Sequence, residues 1–511
     1  MNIWTITEIM YSENAVKKKK IHFCLYQMNS TLLFLIIALY FGLLLTISFF
    51  AGKKHSDNDA FFIGSRKSPW LVVAFGMIGA SISGVTFVSV PGWVRTTDMT
   101  YIQMTLGFFF GYVLIAEVLM PLYYKLKLTS IYTYLQNRMG IRAYKTGASF
   151  FLLSKLLGAA ARLYIVVLIM QRYIFDYWEI PFFVTVSIIV VLIFLYTFRS
   201  GIRTIVWTDV LQTFFLLAAL VLIIWQVISK LDFSFSQTVA AIGSNEHFRI
   251  FEFNDFNSPQ HFLKQFFSGI FVVIAMTGLD QDMMQKNLSC RNLKEAKKNM
   301  YSYAWTFIPI NFLFLCLGIL LLFFANIHQI ELPDVSDEIL PMFAATGMLG
   351  TAVVALFMVG LMSAAFSSAD SALTSLTTSF CIDILNISKL PAQKAKRLRQ
   401  RTHIAISIVF ILSILVFRIA NNKSVIDAIY TIVSYTYGPL IGMFAFGLFT
   451  KIRPKESLIP YICIASPLLS YLLDSVLFSC FGYKCGYELL IINGLITFTG
   501  LWISKFANGH F

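Results

Sequence analysis

The sequence predicts an all-α integral membrane protein with about 13 transmembrane helices. Of the 511 residues, 58% are hydrophobic and only 13% are charged, whereas a soluble chain of this length needs many more charges on its surface. The hydrophobic residues form runs of roughly 20, the length that crosses a hydrocarbon core of ~30 Å. The net charge of +14 lies mostly in short loops between these runs, so membrane orientation explains it and nucleic-acid binding is disfavoured.

Residues 31–511 are predicted to form one transmembrane transporter domain, preceded by a tail of residues 1–30 for which disorder is one option. Met28 directly precedes the first apolar run and is an alternative start of the chain. Two segments are too long for a simple span and either tilt strongly or continue as helix outside the bilayer, namely Lys145–Phe175 and Met348–Leu385. In chain order, the segments are Thr31–Ala51, Trp70–Val94, Tyr101–Leu126, Lys145–Phe175, Pro181–Phe198, Arg203–Ile228, Phe262–Met284, Met300–Ala325, Met348–Leu385, His403–Ile419, Val425–Phe449, Leu458–Leu477 and Leu489–Ile503.

The basic residues predict how these segments are oriented. With the N-terminus outside, most of the 40 Lys and Arg residues fall in cytoplasmic loops, as the positive-inside rule requires. Lys17 to Lys20 are the exception, and a start at Met28 would remove them. The C-terminus is then cytoplasmic, and the chain is a multi-pass protein of the cell (inner) membrane. Cys480 and Cys485 share an outer loop in this arrangement, where a disulfide is an open option.

A run of small and polar residues interrupts the second apolar segment. Residues Gly79 to Thr86 read Gly-Ala-Ser-Ile-Ser-Gly-Val-Thr. Such residues let a helix open in its middle, which frees backbone carbonyl groups as ligands for a hard cation. Close packing of small residues against a neighbouring helix explains the pattern equally well.

The ninth segment carries four small or hydroxyl residues on one helix face. Ala364, Ser367, Ser368 and Ser371 fall at positions i, i+3, i+4 and i+7. Two adjacent hydroxyls and a carbonyl make a site for a weakly bound cation such as sodium. Serines that bond back to their own helix are the structural alternative. Asp370 adds a carboxylate, which is costly inside a membrane and favours a functional role.

A second carboxylate at membrane depth is Asp209, at the inner half of the sixth segment. It either binds a cation or pairs with one of three basic residues, Arg203, Lys155 or Arg162. The sequence alone leaves these options open.

With one further motif, these segments resemble the sodium/solute symporter family, which includes sodium–proline, sodium–glucose, sodium–iodide and sodium–sialic acid transporters. The resemblance extends from about Thr31 to the C-terminus. The motifs that carry it are Ser81-Ile82-Ser83-Gly84, the stretch from Tyr196 to Asp209 with Gly201 and Thr208-Asp209, Gly278-Leu279-Asp280-Gln281-Asp282-Met283-Met284-Gln285, and Ala364-x-x-Ser367-Ser368.

The resemblance implies a leucine-transporter-like fold with two five-helix repeats of inverted topology. Repeat one would span about 70–228 and repeat two about 262–449, with the first, twelfth and thirteenth segments outside this core. The first helix of each repeat would be broken, in Trp70–Val94 and in Phe262–Met284.

The resemblance also implies a transporter, not an enzyme, that couples transported sodium to uptake of a small polar solute by alternating access. The alternatives are a proton-coupled symporter of the same fold and, less favoured, a channel or a membrane sensor. The implied ligands of the main sodium site are Gly79, Ile82, Ala364, Ser367 and Ser368. The implied second cation site involves Asp209, Ser367 and Ser371, where Asp370 replaces a hydroxyl; coordination by that carboxylate and proton coupling are both open.

The candidate substrate residues centre on Arg162, which lies among small residues in the fourth segment. Its guanidinium can hold a carboxylate with two hydrogen bonds, and sialic acid carriers of the resembled family use an arginine on the corresponding helix in this way. The small-molecule solute is therefore expected to be a small anion. The lipid bilayer is the other expected partner, and the transporter is expected to function as a monomer. An ion pair of Arg162 with Asp209 or Asp370 is the alternative. The further pocket candidates are Ser81, Tyr101, Gln103, Met276 and Thr277.

Overall fold

The computed structural model describes residues 30–52, 58–198, 201–420, 425–483 and 485–506. Most of these residues are helical, and within these ranges β pairing is limited to one isolated bridge between Ser68 and Cys290. The all-α prediction is therefore confirmed for this part of the chain. Of the predicted tail of residues 1–30, residues 1–29 lie outside the described residues, and these include Lys17 to Lys20 and Met28.

The helices of six or more residues within these ranges are numbered in chain order. They are α1 (Ser30–Gly52), α2 (Asn58–Ile63), α3 (Trp70–Ser81), α4 (Gly84–Thr97), α5 (Tyr101–Lys125), α6 (Thr133–Met139), α7 (Ile141–Tyr173), α8 (Phe182–Thr197), α9 (Ile202–Lys230), α10 (Phe235–Gly243), α11 (Phe262–Gly278), α12 (Gln281–Leu288), α13 (Leu293–Ile327), α14 (Ile339–Ala345), α15 (Thr351–Ile384), α16 (Ala392–Ala420), α17 (Val425–Thr436), α18 (Gly438–Phe449), α19 (Ile459–Phe481) and α20 (Leu489–Ser504).

Seven single helices of the described residues are long and apolar enough to cross a membrane, namely α5, α7, α9, α13, α15, α16 and α19. Three bent pairs pass the same test together: α3 with α4, α11 with α12, and α17 with α18. With the shorter apolar helices α1, α8 and α20, these elements follow the order of the predicted segments. The long segments are continuous helices, since α7 has 33 residues and α15 has 34. The number of helices that cross the bilayer stays a prediction.

The two predicted helix breaks are confirmed. The axes of α3 and α4 differ by 56°, and those of α11 and α12 differ by 65°. At the first break, Ile82 (ψ 78°) and Ser83 (ψ 168°) leave the helical region, and α4 begins afresh after Ser83. At the second break, the Asp280 side chain accepts hydrogen bonds from the backbone amides of Asp282 and Met283, and so caps α12.

A third bend of 42° lies between α17 and α18 and was not predicted. It falls at Tyr437 and Gly438, directly before Pro439 at the start of α18. Proline is accommodated in the first turn of a helix, where its missing N–H costs no hydrogen bond. A Cβ at Gly438 would lie 2.2 Å from the side-chain carbon Cγ of Asn493, so α20 fits closely against this bend.

Helices α3 and α15 both pack on α9 through small residues. A Cβ at Gly79 of α3 would lie 2.2 Å from Oγ1 of Thr213 on α9. A Cβ at Gly360 of α15 would lie 2.7 Å from Cβ of Ala219 and 3.3 Å from the carbonyl oxygen of Phe215. Glycine at such contacts lets helix backbones approach closely. This packing brings the three polar motifs of the sequence onto neighbouring helices.

The close contact at Gly360 gives a stability prediction. Gly360→Ala places a methyl carbon 2.7 Å from Cβ of Ala219 and should destabilise the fold by about 1–3 kcal/mol through overpacking. The measurement is the melting temperature of the purified protein in detergent. Adding Ala219→Gly removes the opposing carbon and should restore most of the loss. Gly158→Ala is the control, because no atom lies within 4 Å of a Cβ there; equal melting temperatures for Gly360→Ala and Gly158→Ala would contradict the prediction.

Candidate functional site

The break between α3 and α4 faces the hydroxyl residues of α15. The Ser368 hydroxyl oxygen lies 3.5 Å from the carbonyl oxygen of Ala80 and donates to the carbonyl of Ala364 at 3.2 Å. Within the described residues, no backbone N–H donates to the carbonyls of Gly79 or Ile82, because the helix is interrupted there. Unbonded carbonyls beside a hydroxyl are the oxygen ligands that a hard cation needs. The contact between Ser368 and Ala80 brings the break next to α15, and the roles of Gly79, Ile82, Ala364, Ser367 and Ser368 as sodium ligands stay a prediction.

Helix α9 supports this junction from the other side. The backbone amide of Gly79 donates to Oγ1 of Thr213 at 3.1 Å, and this hydroxyl donates to the carbonyl of Asp209 at 2.7 Å. The Ser367 hydroxyl donates to Oδ1 of Asp209 at 2.5 Å. Ser367 thus connects the predicted main sodium site on α15 with the carboxylate on α9.

Asp209 is paired with Lys286 and with none of the three basic residues considered from the sequence. The Lys286 ammonium lies 2.7 Å from Oδ2 of Asp209, and both side chains are 1% exposed. By the positive-inside rule, the sequence predicts that Lys286 lies in a cytoplasmic loop, and this prediction is wrong. The apolar segment ends at Met284, but the helix α12 continues to Leu288 and all of its residues are buried.

Asp370 lies close to this pair and is only partly satisfied. The Tyr196 hydroxyl donates to Oδ2 of Asp370 at 2.9 Å. Among the described residues, Oδ1 of Asp370 and the hydroxyl of Ser371 have no hydrogen-bond partner, although both side chains are fully buried. Buried polar atoms are normally paired, so these two atoms are a departure from the usual pattern; the second cation site itself stays a prediction.

A cavity adjoins the Ser368 side of the junction. Its volume is about 100 Å³, room for several water molecules, so a larger solute requires side chains to move. Five of the six predicted substrate residues line it, namely Arg162, Ser81, Tyr101, Met276 and Thr277, and Ser368 lines it as well. The predicted sodium site and the predicted substrate residues are therefore contiguous.

Arg162 contributes a positive charge to this cavity. Its side chain is half-buried, and no carboxylate of the described residues lies within ion-pair distance of its guanidinium. The alternative ion pair with Asp209 or Asp370 is therefore wrong for this structure, because Asp209 binds Lys286 and Asp370 accepts from Tyr196. The guanidinium is left available to an anion in the cavity.

The sixth candidate, Gln103, does not line the cavity. Its side-chain amide donates to the carbonyl of Gln260 at 2.8 Å, and its side-chain oxygen accepts from the amide of Glu252 at 3.0 Å. Both groups hold the long loop between α9 and α11. The reason is register: Gln103 follows Tyr101 by two residues on a helix, so the two side chains point to different faces.

A second buried ion cluster, for which the sequence predicted no function, forms another wall of the cavity. The Lys155 ammonium lies 2.6 Å from Oδ2 of Asp282 and 3.2 Å from Oδ2 of Asp280. The Tyr437 hydroxyl donates to the same Asp280 oxygen at 2.7 Å. The available signal was the pair of aspartates in the Gly278–Gln285 motif together with a lysine inside a span.

The structure also shows the state of the two cysteines for which the sequence left a disulfide open. Cys480 and Cys485 are both free thiols in the structure, so the optional disulfide is not formed. The described residues contain no group of three or more His, Cys, Asp and Glu side chains suited to a resident metal ion.

Known proteins similar to this chain are sodium-coupled transporters. The model of the sodium:solute symporter family matches residues 61–455. The sodium/sialic acid symporter NanT of Aliivibrio fischeri is 26% identical over 439 residues, which cover 83% of this chain and 84% of that protein. The sodium/sialic acid symporter SiaT of Proteus mirabilis is 26% identical over 430 residues, covering 81% and 83%. The human sodium/iodide cotransporter is 24% identical over 422 residues, covering 80% and 64%.

Solved structures resemble the whole chain. A substrate-bound, outward-open Na+-coupled sialic acid symporter has a TM-score of 0.78 at 22% identity and covers 93% of this chain and 97% of that one. The transporter Mhp1 in a closed conformation has a TM-score of 0.56 at 14% identity, covering 88% and 95%. These likenesses confirm the predicted leucine-transporter-like fold.

Proposed function

Because this chain belongs to the sodium:solute symporter family, and therefore couples solute transport to sodium, we propose that its solute is a small organic anion bound beside Arg162. The observation that supports the proposal most strongly is the contact of one residue with both sites. The Ser368 hydroxyl lies 3.5 Å from the carbonyl of Ala80, beside the α3–α4 break, and Ser368 also lines the cavity that contains Arg162. Sodium bound at the break would therefore order one wall of the solute site.

The proposed main sodium ligands are the carbonyls of Gly79, Ile82 and Ala364 and the hydroxyls of Ser367 and Ser368. All are neutral oxygens, which hold a monovalent cation weakly enough to release it in each cycle. Sodium entering from outside would join α3 to α15 and raise the affinity for solute, since the two ligands share a wall. The ion and the solute would then leave together on the inside.

The proposed solute class rests on Arg162 and on the relatives. The guanidinium can bind a carboxylate with two charge-assisted hydrogen bonds. Several of the matched relatives are named as carriers of sialic acid, iodide and monocarboxylates, which are anions, and another is named as a multivitamin transporter. A sialic acid or another small carboxylate therefore fits the site better than a neutral sugar. Ser81, Tyr101, Met276 and Thr277 would supply the remaining contacts.

A second cation is proposed beside Asp209, Asp370 and Ser371. The unpartnered atoms of Asp370 and Ser371 support it. Either a sodium ion or a proton satisfies these atoms, so proton coupling remains the second candidate at this position. The orientation with the N-terminus outside and the C-terminus cytoplasmic, the inner-membrane location and the monomeric state are proposals from the sequence.

Uptake by purified protein in proteoliposomes tests this function. Under an inward sodium gradient, we expect uptake of N-acetylneuraminate or of another carboxylate to exceed uptake in potassium buffer by at least about tenfold, because sodium and solute share the wall at Ser368. Glucose and proline are the neutral and zwitterionic comparisons, and a proton gradient without sodium tests the proton-coupled alternative. Transport of neutral sugars alone would contradict an anionic solute, and uptake driven by protons alone would contradict sodium coupling.

A further inference from the structure

We propose that the Lys286 ammonium is a built-in cation of the Asp209 site, which an incoming second cation displaces from Asp209 to Asp370. This inference rests on the proposed second cation site and names the residue that regulates it. Lys286 lies on α12, Asp209 on α9 and Asp370 on α15, so three helices meet at this charge cluster.

The ion pair between Lys286 and Asp209 is short and shielded from solvent. The ammonium lies 2.7 Å from Oδ2 of Asp209, both groups are 1% exposed, and Oδ1 is held by the Ser367 hydroxyl. A sodium ion needs the same carboxylate oxygen, carries the same charge and requires similar space. The ammonium and sodium therefore exclude each other at this oxygen.

Stability alone does not explain the pair. The desolvation free energy that burial of an ion pair costs is about as large as the favourable free energy of the pairing. Apolar residues of similar volume therefore often stabilise a fold as well as the ion pair does, or better. The cost here is larger because a further carboxylate, Asp370, is buried in the same cluster. Two carboxylates with one ammonium leave a net negative charge, which one added cation neutralises.

Asp370 offers the displaced ammonium a second position. Its Oδ1 atom has no partner among the described residues, while Oδ2 is held by Tyr196. No ion pair joins Asp370 to Lys286 in this structure, so Oδ1 of Asp370 is open to the ammonium. The cluster therefore has two arrangements: Lys286 on Asp209 without a second cation, and Lys286 on Asp370 with the cation on Asp209.

The movement of Lys286 would reach the cavity wall through α12. This short helix is capped by Asp280 and contains Asp282, and both carboxylates bind Lys155 at the cavity wall. A shift of the Lys286 side chain thus acts on the same helix that carries this second ion cluster. Occupation of the second cation site is thereby linked to the inner half of the broken α11–α12 pair.

Binding of radioactive sodium to the purified wild type and to two Lys286 variants tests the switch. Binding to the two proposed cation sites should give two phases, of which the one with lower sodium affinity belongs to the Asp209 site. Lys286→Gln removes the competing charge and should lower the Kd of this weaker phase by at least about fivefold. Lys286→Arg holds Asp209 with two hydrogen bonds and should weaken that phase by at least about threefold. Lys297→Gln is the matched control, because this lysine pairs with Glu117 at a partly exposed position and its loss should leave sodium binding unchanged.

The two variants should change the sodium affinity in opposite directions, and this distinguishes competition by Lys286 from a purely structural role. If Lys286 only supports the fold, Lys286→Gln weakens sodium binding and Lys286→Arg resembles the wild type; either result overturns the proposal. Lys286→Arg keeps the buried charge and carries the test alone if Lys286→Gln does not fold, as judged by size-exclusion chromatography. The proposed function fails separately, by an absence of sodium-driven uptake in the wild type, whereas failure of this inference leaves that uptake intact.

Discussion

Replacing Ser368 by alanine is expected to raise the sodium concentration that half-saturates uptake by at least about tenfold, which corresponds to ~1.4 kcal/mol. The variant removes the hydroxyl that lies 3.5 Å from the Ala80 carbonyl and 3.2 Å from the Ala364 carbonyl. A weakly held monovalent ion has few ligands, so each one carries a large share of its binding free energy. The measurement is initial uptake rate as a function of sodium concentration at a saturating solute concentration.

Two variants control this result. Ser368→Thr keeps the hydroxyl and should retain most of the sodium affinity. Ser375→Ala lies on the same helix and removes a buried hydroxyl that bonds back to the carbonyl of Ala372 at 3.0 Å, so it should behave as the wild type. A Ser368→Ala protein with unchanged sodium dependence would exclude this hydroxyl as a ligand and would remove the main support for the proposed site.

Replacing Arg162 by glutamine is expected to reduce the uptake efficiency for a carboxylate solute by about 100-fold, or ~2.7 kcal/mol. The guanidinium faces the cavity without a carboxylate of its own among the described residues, so its loss leaves the anion of the solute without a counter-charge. Arg162→Lys keeps the charge but not the planar pair of donors, and about a tenfold loss is expected. The measurement is uptake against solute concentration at fixed sodium.

The sodium dependence separates binding of solute from damage to the transporter. In Arg162→Gln, the half-saturating sodium concentration for binding of radioactive sodium should remain near the wild-type value, because none of the proposed sodium ligands is changed. Arg172→Gln is the control on the same helix, at its C-terminal end, where Arg172 pairs with Glu338 at an exposed position. Full uptake of the carboxylate by Arg162→Gln would contradict its proposed role.

The features that were predictable from the sequence are those with a local signal. Runs of apolar residues predicted the helices. The small residues from Gly79 to Gly84 allowed either a helix break or close packing, and the resemblance to the symporter family implied the break. The spacing of Ala364, Ser367 and Ser368 predicted a shared face on α15. These signals depend only on neighbours along the chain, because helix periodicity and helix opening are both set within a few turns.

The features that were missed depend on contacts between distant segments. Lys286 follows a break in the apolar pattern, where a basic residue usually indicates a loop, and only the burial of Asp209 against it reveals its place. From the sequence, Gln103 could face either the cavity or the long loop between α9 and α11, and its two hydrogen bonds show that it contacts this loop. At the bend near Gly438, the close approach of Asn493 from α20 leaves no room for a Cβ. No pattern within one segment contains this information.

The unpartnered oxygen of Asp370 has an electrical consequence. One sodium ion carried with a monovalent anion moves no net charge, so the voltage across the membrane would do no work on such a cycle. One additional cation at the proposed Asp209–Asp370 site makes each cycle carry a single positive charge inward, which at ~100 mV yields about 2.3 kcal/mol, roughly a 50-fold steeper solute gradient. Whether the cell's voltage drives accumulation would therefore depend on whether Asp370 can receive the Lys286 ammonium and leave Asp209 to that cation.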